Sequence, residues 1–401
     1  MPGLDNELAQ IVADLNRAAK TSRELSRETS QFSEESSASL DSLLQLAERR
    51  GASDVLLIAG APVGLRVNGV LSTNAGAALT GEDTRSLMLP LLTPSQLQAL
   101  QKSKSADLCF TRPGIGRFRA NVHYQRGTLA GSIRLLPEKI PSLESLNLPA
   151  GLRKFAEARQ GLLLITGPTG CGKSSTLAAL IDLINTHRRD HILTIEDPVE
   201  YVHSNRTSIV EQIEVGSDAP DFASSIRSIL RQTPDVILVG EMRDQETIST
   251  ALTIAETGHL VLSALHTNDT SQAVSRILDS FPSGNQPQIR QQLSLSLLAI
   301  VAQQLVPAGS GSQTAGHTSG HAGTPGRYPA VEIMVATSAV RSLIRKGEDH
   351  QLYSAIGTGR AAGMITMEQS LADLVRAGRI ARDTAMAHCF RLEDLKRYLQ
   401  E

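Results

Sequence analysis

Apolar residues run along this chain in two different rhythms. In the first third they alternate: Phe118, Ala120, Val122 and Tyr124 interleave with Arg117, Arg119, Asn121 and His123, the period of a strand with one buried face and one polar, partly basic face. A helical period comes earlier, with Leu40, Leu43, Leu44 and Ala47 on one side, and a strand follows at 54–58. Val67-Asn68-Gly69-Val70 carries the Asn-Gly pair of a tight hairpin, whose central residues must accept positive φ. These elements predict a small α+β domain over 38–137. Beyond it the rhythm changes. Apolar runs at 162–165, 192–195, 236–239 and 260–262 each end in a polar cluster, the pattern of parallel strands covered by helices, whose carboxyl ends collect ligand-binding residues. Ile248, Ala251, Leu252 and Ala255 place a helix between the last two runs, and Gly258 stops it. The fold class is α/β.

Other stretches have too little apolar content to build a core. Residues 1–37 are polar and rich in Ser and Glu, and read as a mobile or weakly helical extension. The Pro-punctuated segment 138–150 reads as a linker into a domain over 151–335. The Gly/Ser/His segment 307–327 reads as a flexible surface loop; its His317 and His321 have the i,i+4 spacing of a helical metal pair, but the Gly-rich context favours a loop. From Val331 onward the pattern is helical. Met367, Leu371 and Leu374 share a face, short helices surround Leu343 and Leu395, and a helical subdomain is expected over 336–401.

Composition narrows the function classes. The 401 residues suit two or three domains, and a net charge of -2 with pI near 6.6 leaves no global basic surface for nucleic acid. Cys109, Cys171 and Cys389 are too scattered for a disulfide framework or a paired-cysteine zinc site, which points to a reducing cytosol. No apolar span is long enough for a bilayer, and the N-terminus lacks the apolar core of a secretory signal. With no Trp and 3% aromatics, the core must be Leu, Ile, Val and Ala.

The chemistry follows the first apolar run. Gly167, Pro168, Thr169, Gly170, Cys171, Gly172, Lys173 and Ser174 spell a phosphate-binding loop between a strand and a helix marked by Leu177, Leu180, Ile181 and Ile184. The glycines let successive N–H groups turn toward an anion at a helix N-terminus. Lys173 would reach the terminal phosphates, Ser174 would ligate Mg²⁺, and Ser175 falls in the same nucleotide-binding set. After the second run, Glu196, Asp197 and Glu200 surround Pro198: Glu200 is the candidate for polarising water, with Glu196 and Asp197 near the metal or fixing the loop. After the third, Glu241 takes the metal-shell position, and Asp244 suits a helix N-cap. His259 and His266 bracket the fourth run, as a phosphate sensor, an intersubunit relay, or ordinary core histidines.

In order, these blocks resemble the Walker A, Asp box, Walker B and His box of the secretion ATPases, and the stretch from about Leu40 to Leu399 is similar to their type IV pilus retraction branch. Ala339-Val340-Arg341-Ser342-Leu343-Ile344-Arg345 resembles that branch's C-terminal motif, and the long N-terminal domain and tetracysteine insertion of extension motors are absent from this sequence. The resemblance implies a PAS-like N-terminal domain, a RecA-like ATPase domain and a homohexamer. ATP would bind between the two domains and the neighbouring subunit, with Arg119 and Arg134 closing over its phosphates. It further implies work on a pilin fibre through an inner-membrane platform protein, with peripheral association at the cytoplasmic face. Three positions depart from the pattern: Cys171 replaces Ser, Ile213 replaces Arg, and Arg159-Gln160-Gly161 replaces Pro-Arg-Gly. An accessory or assembly motor shares the catalytic blocks; a RecA-like nucleic-acid motor is disfavoured by the charge, and a non-hydrolysing nucleotide switch by the full carboxylate set.

Overall fold

The computed structural model describes residues 32–67, 69–73, 77–309 and 326–400. Two compact units divide between Glu138 and Lys139. Residues 1–31, Asn68 of the hairpin, and His317 and His321 lie outside the described residues.

Among the described residues the first unit begins with helix α1 (Phe32–Arg49), which starts inside the segment read as an extension. Strands β1 (Ala52–Ile58), β2 (Gly64–Val67) and β3 (Val70–Thr73) follow, then helices α2 (Gly81–Met88) and α3 (Pro94–Ser103), each entered through a Thr-led capping box. Strands β4 (Ser105–Arg112), β5 (Gly116–Gln125) and β6 (Thr128–Leu135) complete a sheet of order β3-β2-β1-β6-β5-β4, antiparallel throughout. The hairpin pairs Val67 with Val70, and Gly69 takes φ +80, the left-handed conformation its tight turn needs. Leu40, Leu43, Leu44 and Ala47 of α1 bury against Val55, Leu57, Phe118, Ala120 and Val122. Tyr124, expected on the buried face, is 41% exposed instead. It stands next to the end of β5, beyond the core cluster, where the Lys104 ammonium covers its ring at 5.5 Å.

In the second unit the supposed linker is anchored: Leu143, Leu146 and Leu148 enter the same core as Leu152, Phe155 and Leu180. Then come α4 (Arg153–Ala156), β7 (Gly161–Thr166), α5 (Lys173–His187), β8 (His191–Glu196), β9 (Ile209–Glu214), α6 (Phe222–Ile229), β10 (Val236–Val239), α7 (Gln245–Glu256), β11 (Leu260–Leu265), α8 (Thr270–Asp279), α9 (Gln286–Ser296), β12 (Leu297–Pro307) and β13 (Arg327–Val335). The sheet order is β13-β12-β7-β11-β10-β8-β9; all pairs are parallel except β12 with β13. Val331 therefore belongs to an edge strand and not to a helix. Pro329 and the buried Glu332 interrupt its apolar run, and Pro is tolerated on an edge strand, whose outer side carries no full ladder but only an isolated bridge from Ile333 to Ile365. Five helices close the chain: α10 (Ser338–Lys346), α11 (Leu352–Thr358), α12 (Met367–Arg376), α13 (Arg382–His388) and α14 (Leu392–Gln400). No helix among the described residues is long and apolar enough to cross a membrane.

Candidate active site

Strand β7 carries the chain to the carboxyl edge of the parallel sheet, where the loop from Gly167 to Gly172 turns through three glycines, at φ +145, +78 and +92 for Gly167, Gly170 and Gly172. Space matters as much as φ at Gly167: a Cβ there would stand 2.2 Å from the Gln303 carbonyl oxygen and 2.7 Å from Cys171 Sγ. Pro168, Thr169 and Gly170 are the exposed rim, and the buried Cys171 donates its N–H back to the Pro168 carbonyl at 3.3 Å. The N-cap of α5 is Gly172, which offers no side chain to the first N–H groups of the helix. Those groups, with the positive end of the helix dipole, form an anion site.

The Lys173 ammonium, nearly buried, donates to the carbonyls of Gly167 at 2.8 Å and Pro168 at 3.1 Å, and lies 3.4 Å from His266 Nδ1. Burial lowers its pKa, while the negative charges of Glu241 and Glu200 pull the other way. His266 Nε2 is 3.2 Å from Glu241 Oε2, and Arg243 meets Glu241 Oε1 at 2.7 Å. A continuous row thus runs from the loop lysine to the end of β10. Thr166 Oγ1 adds a second tie between the β7 and β11 ends, donating to the Thr267 carbonyl at 2.8 Å and accepting the Thr267 N–H at 2.9 Å. Glu200 stands half-buried beyond the cis Asp197–Pro198 bond, where its charge acts on Lys173, Glu196 and Tyr201.

Several candidates are placed differently from expectation. His259 lies at the amino end of β11, its Nδ1 3.2 Å from the Ile254 carbonyl. Seven residue steps at about 3.3 Å each put roughly 23 Å between it and His266, so within one chain it cannot sense a phosphate on this loop. Ser175 Oγ is 2.7 Å from the Tyr201 hydroxyl, which makes it an anchor of α5. Glu196 accepts from Thr194 Oγ1 at 2.8 Å and Gln212 Nε2 at 3.2 Å, and burial pushes its pKa up to about 7. These two bonds tie it to its own strand and to β9, so of the two roles considered for it the contacts favour fixing the loop. Asp197 is exposed on the same turn, while Ser174 is exposed at the start of α5. Asp244 caps α7 by accepting from the Thr247 N–H at 2.9 Å. Arg119 and Arg134 face each other across β5 and β6 in the first unit, Arg134 bonded to Asp54 at 2.9 Å. The departure at Ile213 is an apolar one: its side chain packs against the core of the second unit.

One functional candidate, Gln303, went unread in the sequence, and Arg341 was read only as part of the C-terminal motif. Gln303 of β12 donates from Nε2 to the Cys171 carbonyl at 2.6 Å and accepts from Thr176 Oγ1 at 2.9 Å. Its signal was the apolar run 297–302 ending in two glutamines, the same run-then-polar pattern as the other strands. Arg341 of α10 donates to the carbonyls of Leu295 at 2.7 Å and Leu297 at 2.8 Å, clamping the end of α9 to the start of β12.

The family model described as type II/IV secretion system protein matches residues 140–383. The chain belongs to this family. Within the secretion ATPases, it is 39% identical to the type IV pilus retraction ATPase PilT of Pseudomonas aeruginosa over 86% of this chain and 96% of that one. It is 38% identical to the type IV pilus ATPase PilU of the same organism, over 89% and 90%. The crystal structure of the pilus retraction motor PilT with bound ADP superimposes with a TM-score of 0.80 at 40% identity, covering 89% of this chain and 98% of that one.

The Glu196 contacts carry a prediction that separates loop-fixing from metal binding. Glu196→Gln keeps an oxygen for Thr194 and Gln212, so ATP turnover at pH 7 should stay within a few-fold of the parent; a loss like that of a metal ligand would contradict the assignment. Because the folded-state pKa is raised from 4.5 to about 7, the folded chain holds the proton longer, and stability should fall as pH rises through that window and level off above it. The variant should lose this contribution, read as melting temperature against pH.

Proposed function

We propose that this chain is an ATP-hydrolysing motor that powers type IV pilus retraction. One observation carries the reading: an open helix N-terminus and a buried ammonium face a row of His266 and Glu241, in a chain alike over nearly its whole length to a retraction motor solved with ADP. The α/β unit from Lys139 onward is read as a RecA-like ATPase domain (151–335) with a helical subdomain (336–401). The antiparallel unit is read as PAS-like (38–137), joined through 138–150.

In this reading Lys173 leaves the Gly167 and Pro168 carbonyls for the terminal phosphates, and the N–H groups entering α5 hold the same oxygens. Glu200 accepts the hydrogen bond of the attacking water and aims it at the terminal phosphate. His266, bonded to both Lys173 and Glu241, keeps the two oppositely charged groups in register. Oxygen donors suited to Mg²⁺ are present in the exposed Ser174 hydroxyl and the Glu241 carboxylate, the latter 14% exposed. Among the described residues no group of three or more His, Cys, Asp or Glu would hold a metal alone, which suits an ion bound largely through phosphate and water. When bound, Mg²⁺ would neutralise charge on the phosphates. Arg119 and Arg134 are read as guanidinium donors completing the site in a homohexamer, a contribution of about 10³–10⁵ in rate for such groups. ATP bridging two domains and then cleaved would release one to move as a rigid body, and the motion is read as acting on a pilin fibre through an inner-membrane platform protein. Association with the cytoplasmic face would be peripheral, and no nucleic acid is expected as partner.

Deleting the gene tests the cellular role. Excess surface pili with loss of twitching is the expected result; unchanged piliation would move the assignment to an accessory or assembly motor.

A further inference from the structure

The phosphate loop is shaped from behind by a strand its sequence motif does not include. We propose that Gln303 is a positioning residue for the nucleotide, acting through the Cys171 carbonyl and Thr176. The inference rests on the nucleotide reading of the loop and adds a residue to it.

The Gln303 side chain is 3% exposed and both ends of its amide are used. Nε2 donates to the Cys171 carbonyl at 2.6 Å, and Oε1 accepts from Thr176 Oγ1 at 2.9 Å. The same hydroxyl lies 3.1 Å from the Gly172 carbonyl, so its single proton is shared between Gln303 and the start of α5. Across a trans peptide the carbonyl and the next N–H point in opposite directions, so a donor fixed on the Cys171 carbonyl directs the Gly172 N–H to the opposite side of the loop. Gln303 also sets the space available: its backbone carbonyl crowds Gly167, and a Cβ on Gly172 would come within 3.0 Å of its Nε2. One buried residue therefore constrains the loop at its first glycine, at its central carbonyl and at the first turn of α5. A phosphate cradle made of backbone N–H groups works only if those groups are already aimed before the anion arrives.

Gln303→Glu keeps the shape and the acceptor for Thr176 but replaces the donor facing the Cys171 carbonyl with a carboxylate. Binding of a fluorescent ADP analogue and steady-state ATP turnover, measured on the full chain with Mg²⁺ present, read the effect. At pH 8 the dissociation constant should rise by about tenfold or more, the scale of one lost buried hydrogen bond to an oriented group. KM should rise with it and kcat should change little, since Glu200 and Glu241 are untouched. As pH falls toward 6 the buried acid regains a proton and can donate again, so the variant should move back toward parental affinity while the parent stays flat. A merely structural defect would instead reduce the active fraction, with KM and the pH profile unchanged. Thr176→Val, which removes only the hydroxyl, provides a second arm if the glutamate variant fails to fold: its affinity loss should be smaller and independent of pH. Parental affinity in whichever of these variants folds would overturn the proposal alone. Failure of the parent chain to bind the analogue would overturn the nucleotide reading itself.

Discussion

Glu200→Gln should bind ATP at least as tightly as the parent and hydrolyse it about 10²–10⁴-fold more slowly, the range for loss of a positioned acid–base group. The two halves of this expectation have separate causes. Glu200 is close enough to Lys173 for its charge to pull the lysine pKa upward, so it also repels the phosphates that Lys173 attracts; removing that charge favours binding. The amide keeps the shape of the side chain but accepts a proton far less readily, so an attacking water loses its acceptor. Phosphate release and binding of a fluorescent ATP analogue, run on the same preparation, separate the two effects. Turnover at the parental rate would shift the role to another carboxylate of the site, with Glu241 next in line.

Lys173→Ala should act at the earlier step. The ammonium already makes two charge-assisted hydrogen bonds, to the Gly167 and Pro168 carbonyls. If it transfers comparable bonds to phosphate oxygens at about 1.5–3 kcal/mol each, nucleotide affinity should fall by about 10²–10⁴-fold. Alanine also frees the Gly167 and Pro168 carbonyls, so the loop should open locally without unfolding the sheet behind it. Equilibrium binding checks the first expectation and hydrogen exchange of the loop amides checks the second. Affinity within a few-fold of the parent would mean that the lysine does not hold the anion.

Much of the second unit could be read from the chain because its parallel strands are buried on both faces. The apolar runs at β7, β8, β10 and β11, interrupted only by the buried Thr194 and Ser263, suit strands covered on both faces. Helix α7 was equally plain, with Asp244 to start it and Gly258, at φ +104, to stop it. The failures are as physical as the successes. Strand β9 is half-exposed and carries Glu211, Gln212 and Glu214, so its apolar signal is diluted. Strand β13 hides behind Pro329 and Glu332; that glutamate is paid for by Thr270, whose N–H and hydroxyl both donate to it. His259 shows the limit of adjacency in sequence: a histidine at each end of one strand looks like a pair, yet a strand keeps its ends apart. Gln303 shows the opposite limit, because a residue 132 positions from Cys171 becomes its hydrogen-bond partner only when β12 is laid beside β7.

The site's centre is also where charge and burial are most opposed. Lys173 and Glu196 both lose water on folding, and their pKa values move in opposite directions for that one reason. Lys173 is offset by nearby negative charge and remains available to an anion. Glu196 has neutral donors and the Glu200 charge beside it, which raises its pKa further, and its bonds to Thr194 and Gln212 suit a loop brace.

A crystal structure of the full chain with Mg²⁺ and a non-hydrolysable ATP analogue tests the central claim most directly. The account predicts phosphate oxygens against the N–H groups between Gly170 and Ser174, with the Lys173 ammonium moved off the Gly167 and Pro168 carbonyls to meet them. A loop that stays empty at saturating analogue, with Lys173 still bonded to its own backbone, would contradict it.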